Sequence, residues 1–262
     1  MSFNLGFLRK NIAIPAFFIT WELVSLAGLV HPLFIPPLSQ VLTTIWELTV
    51  SGEMIEHILI SLSRAFGGFL IAVTLALPLG LLLGGWFRNL QTALEPLMEV
   101  AAQANPFILF HVIILFLGIG EATKVTIIAW ICIWPIVFNT ISGIRNIDPV
   151  LLKSARSFGL ERTALFTKVI LPVAAPSIFT GLRLSAGYAF FMLVVAEMMG
   201  SSSGLGWLVQ TSQESYNVSR LFSAALVIAL LGLLIDTLMQ FIEKKVIVWQ
   251  DTSILESPGY KS

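Results

Sequence analysis

Among the ionisable residues inside the long apolar runs of this sequence, Arg64, Arg183, Glu197 and Asp236 are candidates for function. An unpaired charge within a membrane is costly, so such residues either pair between helices or serve the passage of ions and solutes. Pairing favours a structural interpretation of Arg64 and Asp236, and the long side chain of Arg64 could also reach the lipid headgroups. Glu197 and Asp236 are the side chains that could carry a proton.

A second group of polar residues surrounds a predicted break in the third apolar run, which Pro96 and Pro106 interrupt. Broken backbone within a membrane is tolerated where protein or a watery cavity satisfies it. Aromatic residues of the fifth run could form the wall or gate of such a cavity, although aromatic stripes are also typical of helix packing. His111 by itself could equally be a hydrogen-bonded packing residue. The candidate pathway residues are Gln103, Asn105, His111, Tyr188, Met192 and Glu197.

The sequence lacks the motifs of the common catalytic sites. It has no Gly-rich phosphate loop ending in Lys and Ser/Thr, no nucleophile elbow and no zinc-binding His-Glu helix. Its three histidines, His31, His57 and His111, are far apart and do not suggest a metal site. Cys132, the single cysteine, lies in an apolar run and allows no internal disulfide. We therefore expect a chain that is not an enzyme and binds no metal or cofactor itself.

Composition identifies an integral membrane protein. Hydrophobic residues make up 56% of the 262 residues and charged residues only 11%, whereas soluble domains are about 25% charged. The apolar residues gather into runs of about 20, the length that spans a bilayer. The net charge is zero and there is no basic block, which argues against nucleic acid as a partner.

Six apolar runs predict six transmembrane helices. The first could be read as a signal peptide, but it is long for one and Glu22 interrupts it, so we predict a retained span. A short amphipathic helix is predicted at about Gln40–Leu48, lying at the outer interface. The first span and this helix form an N-terminal region, residues 1–57. Residues 58–243 form the core, and residues 244–262 a cytoplasmic tail. The spans are predicted at about 12–30, 58–86, 90–117, 124–143, 177–199 and 221–242.

The distribution of basic residues predicts that both termini lie in the cytoplasm. With that orientation only Lys124 and Arg220 fall in outer loops, as the positive-inside rule requires. No inverted repeat, which many secondary transporters show, is visible. The basic residues placed inside are Arg9, Lys10, Arg88, Arg145, Lys153, Arg156, Arg162, Lys168, Lys244, Lys245 and Lys261.

The loop at residues 149–172 is the one long polar interruption in the second half of the chain. Asp148 can cap the orphan N–H groups of a helix, and Pro149 suits its first position. Gly159 is a natural residue to end that helix. The helix is predicted to present one apolar face, formed by Leu151, Leu152, Ala155 and Phe158.

A second short helix is predicted in the same loop, at about Glu161–Ile170. It is expected to end at Leu171-Pro172, because proline cannot continue a helix. Four basic residues, Lys153, Arg156, Arg162 and Lys168, place the loop on the cytoplasmic side.

This loop resembles the signature of binding-protein-dependent ABC importer permeases. That signature reads Glu-Ala-Ala, three residues, Gly, nine residues, Ile, one residue and Leu-Pro; the aligned residues here are Lys153-Ser154-Ala155, Gly159, Val169 and Leu171-Pro172. Lys153 stands where the family usually has Glu. Two further strings, SLSRAFGGFLIA from Ser61 and AEMMGSSSGLGWLV from Ala196, resemble the nitrate, sulfonate and taurine branch of these permeases.

The resemblance implies a MetI-like type I importer fold, in which this loop, called the coupling loop below, docks on a separate ATPase subunit. It implies a homodimer with two ATPase subunits, which bind ATP and Mg, and an extracytoplasmic solute-binding protein. The expected location is a bacterial or archaeal inner membrane, and the expected solute a small organic or inorganic anion. The implied coupling residues are Leu151, Leu152, Lys153, Ser154, Ala155, Phe158, Gly159, Leu171 and Pro172.

An ion-coupled secondary transporter is the alternative. In that case Glu197 or Asp236 would carry protons, and the chain alone would take up solute under an ion gradient. A membrane enzyme would be a third class, but the sequence offers no catalytic constellation for it. Co-purification of an ATPase separates the first interpretation from the other two.

Overall fold

The computed structural model describes residues 12–31 and 33–247, and these residues form helices joined by turns. The predictions for residues 1–11 and 248–262, including the inward placement of Arg9, Lys10 and Lys261, lie outside the described residues. The helices are α1 (Ala13–Leu26), α2 (Leu38–Val50), α3 (Glu53–Gly85), α4 (Arg88–Ala102), α5 (Pro106–Leu117), α6 (Glu121–Arg145), α7 (Pro149–Ser157), α8 (Arg162–Leu165), α9 (Leu171–Gly200), α10 (Leu205–Glu214) and α11 (Val218–Val246).

The chain divides into two compact units. The first comprises the described parts of Met1–Ser63 together with Val194–Leu231. The second comprises Arg64–Leu193 together with the described part of Gly232–Ser262.

In the first unit, α2 packs through one apolar face. Val41 and Leu48 are buried on that face, and Leu48 belongs to a core cluster with Met54, Leu205 and Leu208. The turn between α1 and α2 is fixed by polar side chains of α1. Ser25 donates a 2.9 Å hydrogen bond to the Ile35 carbonyl. This anchoring explains why α1 tolerates polar residues within its apolar sequence.

In the second unit, small residues bring α3 and α6 close together. A Cβ atom on Gly80 would lie 2.7 Å from the Thr140 Cβ, and one on Gly84 would lie 3.0 Å from the Ile144 side chain. Small residues four positions apart therefore allow the two helices to pack closely. Cys132 of α6 is buried, and its thiol donates a 3.2 Å hydrogen bond to the Ser185 carbonyl.

Four stretches of the described chain are long and apolar enough to cross a membrane: α3, α6, α11 and the continuous stretch Arg162–Gly200. The pair α4 and α5 adds a fifth if its two helices cross together. α1 has 14 residues, fewer than the roughly 20 that a span usually needs. The count of six spans and the domain limits at 57 and 243 therefore stay predictions.

Candidate functional site

The coupling loop begins as its sequence predicts. The Asp148 carboxylate accepts a 2.8 Å hydrogen bond from the Val150 backbone N–H, and Pro149 opens α7. Gly159 has a φ of +79°, which is the left-handed conformation that glycine adopts without steric cost. The helix cap and the glycine corner are therefore confirmed, while the coupling role of these residues stays a prediction.

The predicted apolar face of α7 is partly buried against the rest of the protein and partly exposed. Ala155 is 8% exposed, whereas Leu151 is 41% and Phe158 is 88% exposed. Leu152 is partly buried, and the polar residues Lys153 and Ser154 are exposed. A short basic helix therefore presents large apolar side chains outward, and such a surface is typical of one that a partner covers.

The second helix of the loop does not end at Leu171-Pro172, so this prediction is wrong. α8 continues through a π-helical turn, Phe166–Ile170, directly into α9. Pro172 lies directly after this π-helical turn, within the continuous helix. Leu171 packs beside a core cluster that contains Ile144 and Ala174. A helical connection therefore joins the coupling loop to the span.

The predicted break in the third apolar run is confirmed. α4 and α5 are bent by 91° across residues 103–105. The Asn105 side chain accepts hydrogen bonds from the Phe107 N–H at 3.0 Å and from the Ile108 N–H at 3.4 Å. Gln103 ends α4 and is exposed, as are Asn105 and His111. The His111 Nδ1 atom lies 2.8 Å from the Phe107 carbonyl oxygen.

A cavity of about 320 Å³ lies beside this break, and aromatic residues of α9 also line it. Pro106 of α5, Trp134 of α6 and Tyr188 of α9 are among its lining residues. The Trp134 indole N–H is buried and has no hydrogen-bond partner within the described chain. The structure thus places one predicted pathway residue, Tyr188, near the break that carries three others.

A second cavity, of about 640 Å³, also has Tyr188 in its lining and contains an ion pair. The Arg183 Nε atom lies 2.7 Å from an Asp236 oxygen, and the Gln240 amide donates a 2.8 Å hydrogen bond to the other oxygen. The Arg183 and Asp236 side chains are 39% and 45% exposed. Because both residues lie within apolar helices, this exposed pair requires water or protein beside it rather than lipid.

Glu197 is fully buried in the first unit and caps the start of α10. Its carboxylate accepts hydrogen bonds from the Ser61 hydroxyl at 2.8 and 3.0 Å and from the Gly206 N–H at 3.0 Å. Met192, in the second unit, is also fully buried. For either side chain to line a pathway, the chain would have to change conformation, so that role stays a prediction.

A charged cluster joins α3 and the start of α6. Arg64 donates two hydrogen bonds of 2.6 Å, from Nε and Nη2, to the two Glu121 carboxylate oxygens. The Lys124 ammonium donates a 2.9 Å hydrogen bond to one of them. Sequence reasoning missed Glu121, because it lies between two predicted spans and not inside an apolar run. Its i+3 spacing to Lys124 was the available signal.

The described residues contain no group of three or more His, Cys, Asp and Glu side chains that could hold a metal ion. The described residues form a helical membrane protein with a polar break in one apolar run and a short basic helix that presents apolar side chains outward. This is the class that the fold and the site define.

Comparison with known proteins specifies the class. An inward-facing structure of the MetNI methionine ABC transporter aligns with a TM-score of 0.66 at 17% identity, covering 74% of this chain and 95% of that one. An amino acid ABC transporter aligns with a TM-score of 0.62 at 18% identity, covering 76% and 96%. At these identities the similarity shows the fold, which is that of MetI-like type I importer permeases.

Residues 76–248 match the family model described as binding-protein-dependent transport system inner membrane component. The chain belongs to this family. It is 33% identical, over 93% of its length and 88% of the relative's, to a Bacillus subtilis protein provisionally named aliphatic sulfonates transport permease protein SsuC. The taurine transport system permease protein TauC of Escherichia coli is 28% identical, with 87% and 85% covered. The nitrate import permease protein NrtB of Leptolyngbya laminosa is 30% identical, with 79% and 77% covered.

The predicted resemblance is thereby confirmed, and the chain is a transmembrane permease of an ABC importer. Its relatives are permease subunits rather than enzymes. These names favour the importer over the ion-coupled alternative.

Proposed function

We propose that this permease passes a small oxyanion, such as an aliphatic sulfonate or nitrate, from a solute-binding protein into the cytoplasm by alternating access. The names of three relatives support this substrate class, since they refer to sulfonates, taurine and nitrate. Arg183 supports it as well, because a guanidinium in a cavity binds planar oxyanions through two parallel hydrogen bonds.

The proposed assembly is a homodimer of this chain with two ATPase subunits, on which ATP and Mg bind. Each chain crosses a bacterial or archaeal inner membrane six times, with α1 as the first span and both termini in the cytoplasm. The Arg183–Asp236 pair supports the dimer, because its exposed charges within apolar helices need a cover other than lipid. A second copy, or a watery pathway between two copies, supplies that cover.

The observation that carries the proposal is the outward display of Leu151 and Phe158 on α7, next to the Gly159 corner. Closure of the ATPase dimer on binding ATP would move α7, which sits in a groove of the ATPase. The helical connection through α8 and the π-helical turn would pass this movement to α9. The cavities lined by Tyr188 would then open outward to receive the solute.

Co-purification with the ATPase, followed by ATPase assay in lipid nanodiscs, tests this proposal. Leu151→Asp combined with Leu152→Asp is expected to abolish the complex, because it places two charges in an apolar contact. Ile119→Asp is the control, since Ile119 is 76% exposed but lies outside the coupling loop. A double variant that still co-purifies with the ATPase would show that α7 is not the docking element.

The ion-coupled alternative predicts transport by the chain alone. The structure offers a simpler account of both proposed proton carriers, since Asp236 pairs with Arg183 and Glu197 caps α10. Uptake of a sulfonate or nitrate by the purified chain in proteoliposomes, driven by a proton gradient without ATPase, would support that alternative.

A further inference from the structure

Tyr216 has a backbone conformation that tyrosine rarely adopts. It lies in the turn between α10 and α11 with a φ of +54°, in the left-handed region where a Cβ atom crowds the following carbonyl oxygen. Glycine enters this region at no steric cost. Every other described residue with a positive φ is a glycine, namely Gly28, Gly52, Gly118, Gly159 and Gly204. Tyrosine at this position therefore lowers the stability of the chain relative to glycine.

The turn fixes Tyr216 in this conformation through backbone hydrogen bonds. The Tyr216 N–H donates a 3.1 Å hydrogen bond to the Gln213 carbonyl. The Asn217 N–H donates one of 2.9 Å to the Ser212 carbonyl. This pair of bonds is the Schellman arrangement that ends many helices, and its left-handed residue is usually glycine. The Asn217 side chain also accepts a 3.2 Å hydrogen bond from the Arg220 N–H in the first turn of α11.

Packing of the Tyr216 side chain does not offset this cost, because the residue is 86% exposed. Strained residues of this kind persist where they serve a function. Tyrosine is enriched among the few residues that dominate binding between proteins. A ring on a fixed turn also loses little conformational freedom when a partner covers it. The combination of strain, rigidity and exposure is therefore that of a residue kept for contact with another molecule.

The neighbours of Tyr216 identify the kind of partner. Gln213, Glu214, Ser215 and Asn217 flank it, and all four are polar and exposed. Such a surface suits neither lipid nor the apolar interface of a permanent dimer, whereas an aromatic residue within a polar rim is typical of a transient protein interface. In the proposed orientation this turn faces outward, away from the ATPase subunits. The partner is therefore an outer protein that binds and leaves.

We propose that Tyr216 anchors the solute-binding protein when that protein docks on the permease. The identity of the partner rests on the proposed function, in which solute arrives from such a protein, and on the family, which is described as binding-protein-dependent. Because the turn is fixed, it presents the ring in the same place before and after docking. The strained backbone is the cost of placing an aromatic residue there.

Tyr216→Gly tests this inference in the full-length permease, purified in lipid nanodiscs together with the subunits that accompany it. Since glycine accepts the left-handed conformation, the thermal midpoint without binding protein is expected to rise by about 1–4 °C. The dissociation constant of the purified solute-binding protein, measured by biolayer interferometry, is expected to rise at least about tenfold. A residue with a purely structural role could not give a more stable permease that binds its partner less well.

Two control variants separate the ring from the backbone. Tyr216→Phe keeps the ring and the strain, so its midpoint should stay within about 1 °C of the wild type and its dissociation constant within about threefold. Gln213→Ala removes an exposed polar side chain from the same turn and should leave both quantities close to those of the wild type.

A lower midpoint for Tyr216→Gly would overturn the proposal, because it would show that the ring supports the fold or is anchored in lipid. A raised midpoint with an unchanged dissociation constant would overturn it as well, since the ring would then have no part in docking. Failure of this inference alone leaves binding by the wild-type permease intact. A wild-type permease that does not bind the solute-binding protein would instead show that the proposed importer assembly, and with it this partner, is wrong.

Discussion

Gly159 has a backbone conformation that few other residues accept. Its φ is +79°, and a Cβ atom there would meet nothing within 4 Å, so a substitution is penalised through the backbone alone. For a β-branched residue this penalty is about 1–2 kcal/mol. Gly159→Val is therefore expected to change the angle of the corner after α7. Solute transport in proteoliposomes should fall while ATP hydrolysis continues.

The control for this prediction is Gly159→Asn, since asparagine tolerates the left-handed region. It should keep both activities close to those of the wild type. Normal transport by the valine variant would contradict the role assigned to the corner.

Gly206 is limited by space rather than by its backbone angles. A Cβ atom there would overlap the Val194 carbonyl oxygen and approach the Glu197 Cβ to 2.8 Å. Gly206→Ala is therefore expected to destabilise the chain by about 1–3 kcal/mol, measured as a lower thermal midpoint. Gly67→Ala is the matched control, because a Cβ atom on Gly67 meets nothing within 4 Å. A Gly206→Ala midpoint no lower than that of the control would show that the cap of α10 adapts.

Local residue patterns were predictable, and distant partners were not. Asp148 and Gly159 follow capping rules that act within a few residues, so the sequence alone located them. Glu197 and Ser61 are 136 positions apart, and Arg64 and Glu121 are 57 apart. Such pairs depend on how helices pack, which no single-sequence pattern specifies. This is why the sequence identified Arg64 as a candidate but did not identify its partner Glu121.

At the scale of elements, Asn105 holds the break between α4 and α5. Its side chain accepts two backbone N–H bonds at the start of α5. Asn105→Ala is expected to cost about 1 kcal/mol and to reduce transport more than stability, because the 91° bend positions the cavity. Asn105→Asp keeps the acceptor and should retain transport. Equal transport by the alanine and aspartate variants would show that the bend does not depend on the cap.

The elements also show where a sequence rule fails. Proline in a helical sequence predicts that the helix ends before it. The rule is correct at Pro106, because α4 ends before this residue and Asn105 caps the new helix α5. It failed at Pro172, because the π-helical turn before it lets the chain continue. Sequence periodicity does not show such turns, since they change the hydrogen-bond pattern and leave the apolar residues in place.

At the scale of the whole molecule, the proposed orientation can be tested by thiol labelling. Cys132 is buried, so a cysteine introduced at the surface is the reactive one. Ser157 and Ser215 are suitable, since both are exposed and their hydroxyls donate to backbone carbonyls of the helix that each residue belongs to or ends. A membrane-impermeant maleimide on intact cells should label Ser215→Cys and leave Ser157→Cys unlabelled. Permeabilised cells should show both, and the reverse pattern would invert the topology.

The π-helical turn at Phe166–Ile170 also has an angular consequence. A turn with i→i+5 bonds holds one more residue than a turn of α-helix, and each residue of an α-helix accounts for about 100° of rotation. Because one turn of either helix covers one full rotation, deleting one residue from this turn would restore plain α-helix and leave α7 at nearly the same angle relative to Arg183 and Tyr188. The same deletion in the α-helical stretch between the turn and Arg183 would instead rotate α7 by about 100°. The π-helical turn is thus a point at which the connection can change its length by one residue without turning the coupling loop away from its partner.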